Sequence, residues 1–520
     1  MPTDDSSSVA SARASEFRAA GIKVGGALLL FSVLYGLYAH EVKVEEKVQE
    51  LLAGPRIAGG QRAGGARADM NKDTPASLLA AEAALKQALD MQPSNPYAVA
   101  AYADTEALLV GAGYEDRAQA ADDAVARAEA KDVTQPERYE ARALRLVQQG
   151  KAADAETGLL AVLAKFGVVP RAIDALGVAK RAQGKLVEAR MSFKRAQDAD
   201  WRAPRKVANY ATALLEDGNG TDALAAFDRA LQANSEHPRS LIGKARAFIA
   251  LARAGKVADF KAAQGLCDQV LAHGSDELPA LVRAQALAAR AEVKQYAGDL
   301  AGAAKDAADA KSQAPDAVET LRALAVTAKS GGYALWTAAI AKDKYDASLY
   351  FDGAQSLAAA GDAPSAEKLL AAAAAQLPKT ARFYLAQASL LLARNDTAGA
   401  DAALTQGLAL EPANAMIYFE QGRVAQARND SKAATKAYEH AAQIRDDMPE
   451  VYRQMGVLYV QENAVVEGLR AFTDALARYK AARAPAAIME PFYAQVEELM
   501  KKAGKAKIGA QWVEEARAAK

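Results

Sequence analysis

The 520-residue chain has very little cysteine, no net charge and few aromatic residues. Its single cysteine, Cys267, excludes an internal disulfide framework and any zinc site with several cysteine ligands. The 64 Lys and Arg balance 64 Asp and Glu, whereas nucleic-acid-binding chains normally carry a basic excess, so no nucleic-acid partner is expected. Aromatic residues make up 6% and there are only 17 prolines, while alanine is abundant. This composition favours an all-α protein with closely packed helices.

Catalytic motifs are also missing. The sequence contains no glycine-rich phosphate loop, no G-x-S-x-G elbow and no H-E-x-x-H pair. The four histidines, His40, His237, His273 and His440, occupy unrelated places in the repeat described below, so a shared metal site is not expected. We therefore predict no enzyme activity, no cofactor and no metal, and we interpret Cys267 as a small buried apolar residue.

One stretch is free of charge. It reads VGGALLLFSVLYGLYA over residues 24–39, and as a helix it would cover about 24 Å of a bilayer core of about 30 Å. Residues 23–40 can complete the span if Lys23 extends to the headgroups. The stretch predicts an uncleaved transmembrane anchor that contacts the lipid bilayer. A cleaved signal peptide and a buried soluble helix are the alternatives.

The charges around this stretch suggest an orientation. Arg13, Arg18 and Lys23 precede it closely, while the next positive residues follow at greater distance. This bias predicts a short cytoplasmic tail over residues 1–22, with the bulk of the chain across an inner membrane in the periplasm.

A 34-residue spacing runs through the rest of the chain. Proline recurs at this spacing at Pro136, Pro170, Pro204 and Pro238, and proline suits the first turn of a helix. With each proline as position 1, position 15 is always Gly or Asn in seven copies: Gly150, Gly184, Gly218, Gly361, Asn395, Asn429 and Asn463. These residues tolerate the left-handed conformation that ends a helix, so each predicts a turn into a second helix.

Residue size follows the same spacing. Position 8 is small in the seven copies: Ala143, Gly177, Ala211, Ala354, Ala388, Gly422 and Gly456. Position 24 is large: Leu159, Phe193, Phe227, Leu370, Leu404, Tyr438 and Phe472. Small residues let two helices approach and large ones fill the space between neighbours, so the pattern predicts a stack of helix pairs.

A 34-residue helix–turn–helix with these phased residues resembles the tetratricopeptide repeat (TPR) family. The resemblance covers residues 76–482, with seven close copies and irregular units at 96–135, 238–277 and 278–346. A partial unit, "AEAALKQALDMQP", opens the array. The resemblance implies an all-α TPR superhelical solenoid of about ten to eleven repeats.

The segments outside the array have other compositions. Residues 41–53 predict a short helical stalk after the membrane anchor. Residues 54–75 are rich in Gly and Arg and predict a flexible tether. Residues 483–520 contain two amphipathic stretches that predict helices capping the last repeat.

The resemblance also implies a binding groove, lined by positions 5, 9 and 12 of the first helices. In the C-terminal repeats these positions give the candidate partner-binding residues Phe351, Gln355, Leu385, Ser389, Leu392, Phe419, Arg423 and Arg453. This partly apolar groove would hold an extended peptide or a helix, with an arginine meeting a carboxylate. The lysines and asparagines with which chaperone-binding TPR proteins line positions 5 and 9 are absent here. The alternative is packing of these residues against an adjacent superhelical turn or the capping helices.

Together these features predict a membrane-anchored TPR scaffold that binds protein partners in a bacterial envelope complex. The architecture of tail, span and array resembles envelope-anchored TPR proteins that assist assembly, secretion or folding. Two alternatives remain: a structural subunit of a larger machine, which includes a homo-oligomer of this chain, and a non-catalytic regulatory subunit of an envelope enzyme.

Overall fold

A computed structural model describes residues 58–253, 259–274, 277–481, 484 and 486–518. These residues form 26 α-helices and one short 3-10 turn, and no strand occurs among them. Within the same ranges, no helix is both long and apolar enough to cross a membrane. The predicted tail 1–22, anchor 23–40 and stalk 41–53 lie outside the described residues.

The helices follow one another in antiparallel pairs. The first thirteen are α1 (Ala58–Lys72), α2 (Pro75–Met91), α3 (Pro96–Gly111), α4 (Ala118–Ala130), α5 (Pro136–Gln148), α6 (Ala152–Phe166), α7 (Pro170–Arg181), α8 (Leu186–Ala199), α9 (Pro204–Glu216), α10 (Gly220–Ala233), α11 (Pro238–Arg253), α12 (Phe260–Leu271) and α13 (Ala280–Ala297). The others are α14 (Leu300–Gln313), α15 (Val318–Thr327), α16 (Gly332–Lys342), α17 (Ala347–Ala359), α18 (Ala363–Gln376), α19 (Ala381–Ala393), α20 (Thr397–Leu410), α21 (Ala415–Ala427), α22 (Ser431–Ile444), α23 (Pro449–Gln461), α24 (Val465–Ala481), α25 (Ala486–Lys502) and α26 (Ala506–Ala518).

The local signals of the repeat place the helix ends. Helices α5, α7, α9 and α11 begin at the four prolines spaced by 34 residues. All seven Gly or Asn residues at position 15 have positive φ, from 58° at Asn429 to 84° at Gly361. Asn or Asp then caps several of the second helices, as where Asp396 accepts a hydrogen bond from the Gly399 amide at 2.8 Å. The predicted turns are therefore confirmed.

The prediction of a flexible tether over residues 54–75 is wrong for most of that range. Within residues 54–75, α1 is a helix in which Ala63, Ala66 and Met70 are almost fully buried. Their spacing of three and four places them on one helix face, which packs against buried residues of α2. The high Gly and Arg content obscured this stripe. Helix α1 thus supplies the missing first helix of the partial unit that opens the array.

Helices α25 and α26 cover the apolar face of the last repeat pair. The rings of Phe492 in α25 and Trp512 in α26 lie 6.1 Å and 6.2 Å from the ring of Phe472 in α24, measured between centroids. Val496 and Met500 are fully buried in the same cluster. This packing shields the end of the stack, which would otherwise expose a core surface to water.

Successive turns of the superhelix contact each other. Arg181 donates to Asp343 at 2.7 Å, Asn234 donates to the Lys72 carbonyl at 2.7 Å, and Arg382 donates to the carbonyl of Glu216 at 2.8 Å. The partners are 162 to 166 residues apart. That separation is slightly less than five 34-residue repeats, so the stack completes a turn in roughly five repeats. The inner groove is consequently enclosed where two turns meet.

Candidate functional site

A cavity of about 820 Å³ lies where two superhelical turns meet. One wall comes from α9 and α11, and the other from α17, α19 and α21. Five of the candidate groove residues line it: Phe351, Gln355, Leu385, Ser389 and Arg423. They occupy positions 5 and 9 of three successive repeats, so the repeat geometry brings them to one concave surface.

The remaining three candidates lie elsewhere. Leu392 is half-buried in α19 and does not line the cavity. Phe419 is 9% exposed and its ring packs 5.7 Å from that of Tyr438, within the core of its own repeat. Arg453 donates to Gln495 of α25 and pairs with Glu450 at 3.2 Å. The contact with Gln495 is the packing against a capping helix that the sequence left open as an alternative.

The inner wall of the cavity is more charged than the sequence predicted. Asp352 accepts hydrogen bonds from Arg322 at 2.9 Å, from Arg382 at 2.7 Å and from Arg253. Glu292 accepts from Arg322 at 3.1 Å and from Arg253 at 3.3 Å. We call these five residues the arginine cluster. It joins α11, α13, α15, α17 and α19, which belong to five different repeats.

The cluster depends on charge pairing to remain ionised. Burial by itself would raise the pKa of Asp352, but the guanidiniums of Arg253, Arg322 and Arg382 lower it to about 2. Burial lowers the pKa of Arg382; Asp352 opposes this shift, while the neighbouring Arg253 and Arg322 reinforce it. Arg382 also lies 5.2 Å from the ring centroid of Phe351, so it covers this candidate residue.

Part of this cluster, the ion pair between Asp352 and Arg382, follows a pattern that is visible in the sequence. Asp352 stands at position 6 of its repeat and Arg382 at position 2 of the next. In the N-terminal repeats Glu140, at position 5, likewise accepts from Arg171, at position 2 of the next repeat, at 2.9 Å. Arginine at position 2 recurs in four repeats: Arg171, Arg205, Arg239 and Arg382. An acid followed by this arginine indicates an ion pair between neighbouring first helices.

A second carboxylate on the cavity wall pairs with an arginine that bridges the two turns. Glu216, at the end of α9, accepts a bifurcated hydrogen bond from the single N–H of Arg181 Nε, whose nitrogen lies 2.8 Å and 3.0 Å from the two carboxylate oxygens. Arg181 also reaches Asp343 on the next turn. Burial raises the pKa of Glu216 to about 7; Asp346 and Asp343 reinforce the shift, and Arg181 opposes it.

We expect Glu216→Gln to flatten the pH dependence of stability. Because the folded pKa lies above the ordinary value of 4.5, the folded state holds this proton more tightly. The resulting stability is present below about pH 4.5 and is lost as pH rises through about 7. From pH 5 to 8 the wild type should therefore lose about 1–2 kcal/mol of unfolding free energy relative to the variant. Urea unfolding at both pH values measures this difference.

The control for this measurement is Glu498→Gln, since Glu498 is 56% exposed in its pair with Lys502. This variant should follow the wild type across the same pH range. Equal pH dependence of Glu216→Gln and wild type would contradict the prediction.

The other reactive side chains of the described ranges are dispersed. His237 contacts Asp73 and Ser240, and His440 stacks on Tyr418. Cys267 is fully buried, as predicted, and burial raises its pKa to about 12. In this part of the chain no group of three or more His, Cys, Asp or Glu could hold a metal ion. The cavity is lined by guanidiniums, side-chain amides and apolar side chains, which can bind a ligand through hydrogen bonds and apolar contacts.

No family model matches the chain, and no curated protein matches it. Among solved structures, a tetratricopeptide repeat protein from Parabacteroides merdae is 17% identical, with 56% of this chain and 97% of that chain covered and a TM-score of 0.30. Yeast Tom70 is 14% identical, with 74% and 96% covered and a TM-score of 0.37. The Cut9–Hcn1 hetero-tetramer of the APC/C is 14% identical, with 85% and 91% covered and a TM-score of 0.41. The phased helix pairs of this chain, with their left-handed turns and small-against-large packing, are those of a tetratricopeptide-like helical repeat protein.

Proposed function

We propose that this protein is a non-catalytic scaffold that docks a segment of a protein partner in the cavity between its superhelical turns. The observation that carries the proposal is the convergence of positions 5 and 9 from three successive repeats on one cavity. Its volume of about 820 Å³ lies in the range of sites that enclose a ligand, which is about 300–1,000 Å³.

The lining suits an extended peptide. Gln355 and Ser389 are exposed and present hydrogen-bonding side chains, while Leu385 beside them is half-buried and apolar. An extended segment needs this mixture, since its main chain requires hydrogen-bond partners and its alternate side chains require apolar contacts.

We expect Ser389→Trp to abolish docking, because an indole placed on the exposed wall of α19 fills the cavity. Affinity for the docked partner should fall by at least about tenfold, which corresponds to about 1.4 kcal/mol. The control is Thr405→Trp, which places the same indole on an exposed site of α20.

The partner itself can be trapped by a photo-crosslinking amino acid in place of Gln355 or Ser389, with Thr405 as the outer position. The proposal expects both inner positions to crosslink the same peptide of one partner and expects Ser389→Trp to prevent the adduct from position 355. Equal adducts at position 405, or none from the inner positions, would contradict docking in the cavity.

We further propose that residues 23–40 anchor the scaffold in a bacterial inner membrane, with the array in the periplasm. The uncharged stretch at 24–39 and the positive residues before it support this proposal. The full chain should stay in the membrane fraction after alkaline carbonate washing, and a variant without residues 1–57 should not. Release of both would refute the anchor.

A further inference from the structure

We infer that the segment docked in this cavity is acidic and that Arg246 receives one of its carboxylates. The inference rests on the proposed docking function and names the chemistry of the partner. The arginine cluster and its surroundings carry an excess of positive charge.

Around the arginine cluster, four guanidiniums face three carboxylates. Besides the three arginines of the cluster, Arg246 of α11 lines the cavity. Asp352 and Glu292 already accept hydrogen bonds from the cluster arginines. Asp346, the third carboxylate facing this group, accepts from the Ser348 amide at 2.8 Å. Across the described part of the chain, Arg246 has no ion pair or hydrogen bond.

An uncompensated cation is costly in this environment. The side chains of Arg322 and Arg253 are 4% and 11% exposed, so water screens their charges little. Like charges gathered in such a place raise the free energy unless an anion joins them. A carboxylate from a partner would pair with Arg246 and offset the repulsion within the cluster. Arg246 is half-buried and lines the open space, so this carboxylate can reach it.

The structure also shows why the other candidate arginines are less able to bind a partner carboxylate. Arg423 donates to both carboxylate oxygens of Glu420 at 2.9 Å, and Arg453 pairs with Glu450. A partner would have to displace these internal carboxylates. Arg246 has no ion-paired or hydrogen-bonded carboxylate among the described residues, so the assignment moves to this arginine, which stands at position 9 of the unit that begins at Pro238.

The shape of the cavity favours a peptide carboxylate over a small anion. Leu385, Ala386 and Leu390 give the α19 wall apolar surface, which an inorganic ion would leave uncovered. A segment with an acidic residue beside apolar residues satisfies both Arg246 and this wall.

The test uses a phage-displayed library of random short peptides, selected on the purified full chain in detergent. Peptides that Ser389→Trp blocks should be enriched in Asp or Glu. Arg246→Met should weaken a selected acidic peptide by on the order of tenfold to a hundredfold. The same peptide with Gln in place of its Glu should bind the wild type and Arg246→Met equally. Arg195→Met, at an exposed position of α8, is the matched control.

The outcomes separate this inference from the function on which it rests. Peptides that Ser389→Trp blocks but that show no acidic preference would leave docking intact and overturn the inference. Selected peptides that bind Ser389→Trp as tightly as the wild type would contradict docking itself. Arg246→Met should unfold no earlier than the wild type, because the attraction between Arg246 and Asp352 is outweighed by the repulsion between Arg246 and the three arginines of the cluster. A lower unfolding midpoint for this variant would show that the charge is already compensated and would also overturn the inference.

Discussion

Asp352→Ala is expected to lower the unfolding free energy of this protein by about 3–5 kcal/mol. The substitution removes the carboxylate on which Arg253, Arg322 and Arg382 converge. The side chains of Arg322 and Arg253 stay 4% and 11% exposed and that of Arg382 stays half-buried, and Glu292 and Asp346 cannot neutralise all three. The loss exceeds that of an ordinary ion pair because the penalty is the burial of unpaired charge.

The effect should also spread along the chain. Arg382 donates both to Asp352 and to the carbonyl of Glu216 on the other superhelical turn. Without Asp352 it loses one of the two bonds that fix it between the turns. We therefore expect faster amide hydrogen exchange in α9 as well as in α11, α15, α17 and α19.

The measurement is urea unfolding followed by helical circular dichroism, with Asp401→Ala as the control. Asp401 pairs with Arg428 at 3.2 Å on the surface, where the two side chains are 45% and 39% exposed. Removing this exposed partner should cost at most about 1 kcal/mol. If both variants lost the same small unfolding free energy, Asp352 would not be needed to neutralise the arginine cluster.

The sequence predicts the local structure of the repeats well, because the signals are local. Proline restricts φ at position 1, and Gly or Asn tolerates positive φ at position 15, so helix starts and turns need no knowledge of distant residues. The register also predicts five residues that line the cavity. It does not predict that the cavity is enclosed, since that depends on contacts between residues more than 160 positions apart, such as Arg181 with Asp343.

The sequence hides the arginine cluster for a related reason. Arg253 stands at position 16 of the irregular unit 238–277, and Arg322 lies in the uneven stretch 278–346. Neither falls at a position that the seven regular copies assign to the inner surface, although Arg246, at position 9 of the unit that begins at Pro238, does. Only the three-dimensional winding brings these arginines to Asp352, which belongs to a regular repeat.

Packing between the two helices of a repeat follows a size rule that the structure explains. Where position 24 is Phe193, Tyr438 or Phe472, position 8 is Gly177, Gly422 or Gly456. Where position 24 is Leu159, Leu370 or Leu404, position 8 is Ala143, Ala354 or Ala388. The ring of Phe227 packs differently: it faces Gly243 of the next repeat, where an added Cβ would lie 2.2 Å from it.

We expect Gly456→Ala to destabilise the chain by about 2 kcal/mol or more, although alanine favours helices. An added Cβ would lie 2.5 Å from the ring of Phe472, which α25 and α26 hold in place. Phe472→Leu alone should also destabilise, because it leaves space beside Phe492 and Trp512. The double variant should recover at least about 1 kcal/mol relative to the sum of the single changes, since leucine and alanine fit together at this interface elsewhere.

The reciprocal exchange is the control for this cycle. Leu404→Phe should be destabilising on its own, because the Cβ of Ala388 occupies the space that the ring needs. The double variant Leu404→Phe/Ala388→Gly should regain much of the lost unfolding free energy, because glycine leaves the new aromatic ring the same space that Gly456 leaves Phe472. The measurement is the unfolding free energy of the seven proteins in the two cycles, which share the wild type. Additive effects in both cycles would mean that the pairing of sizes is coincidental, whereas coupling of the same sign in both would show that each helix pair is fitted within its own repeat.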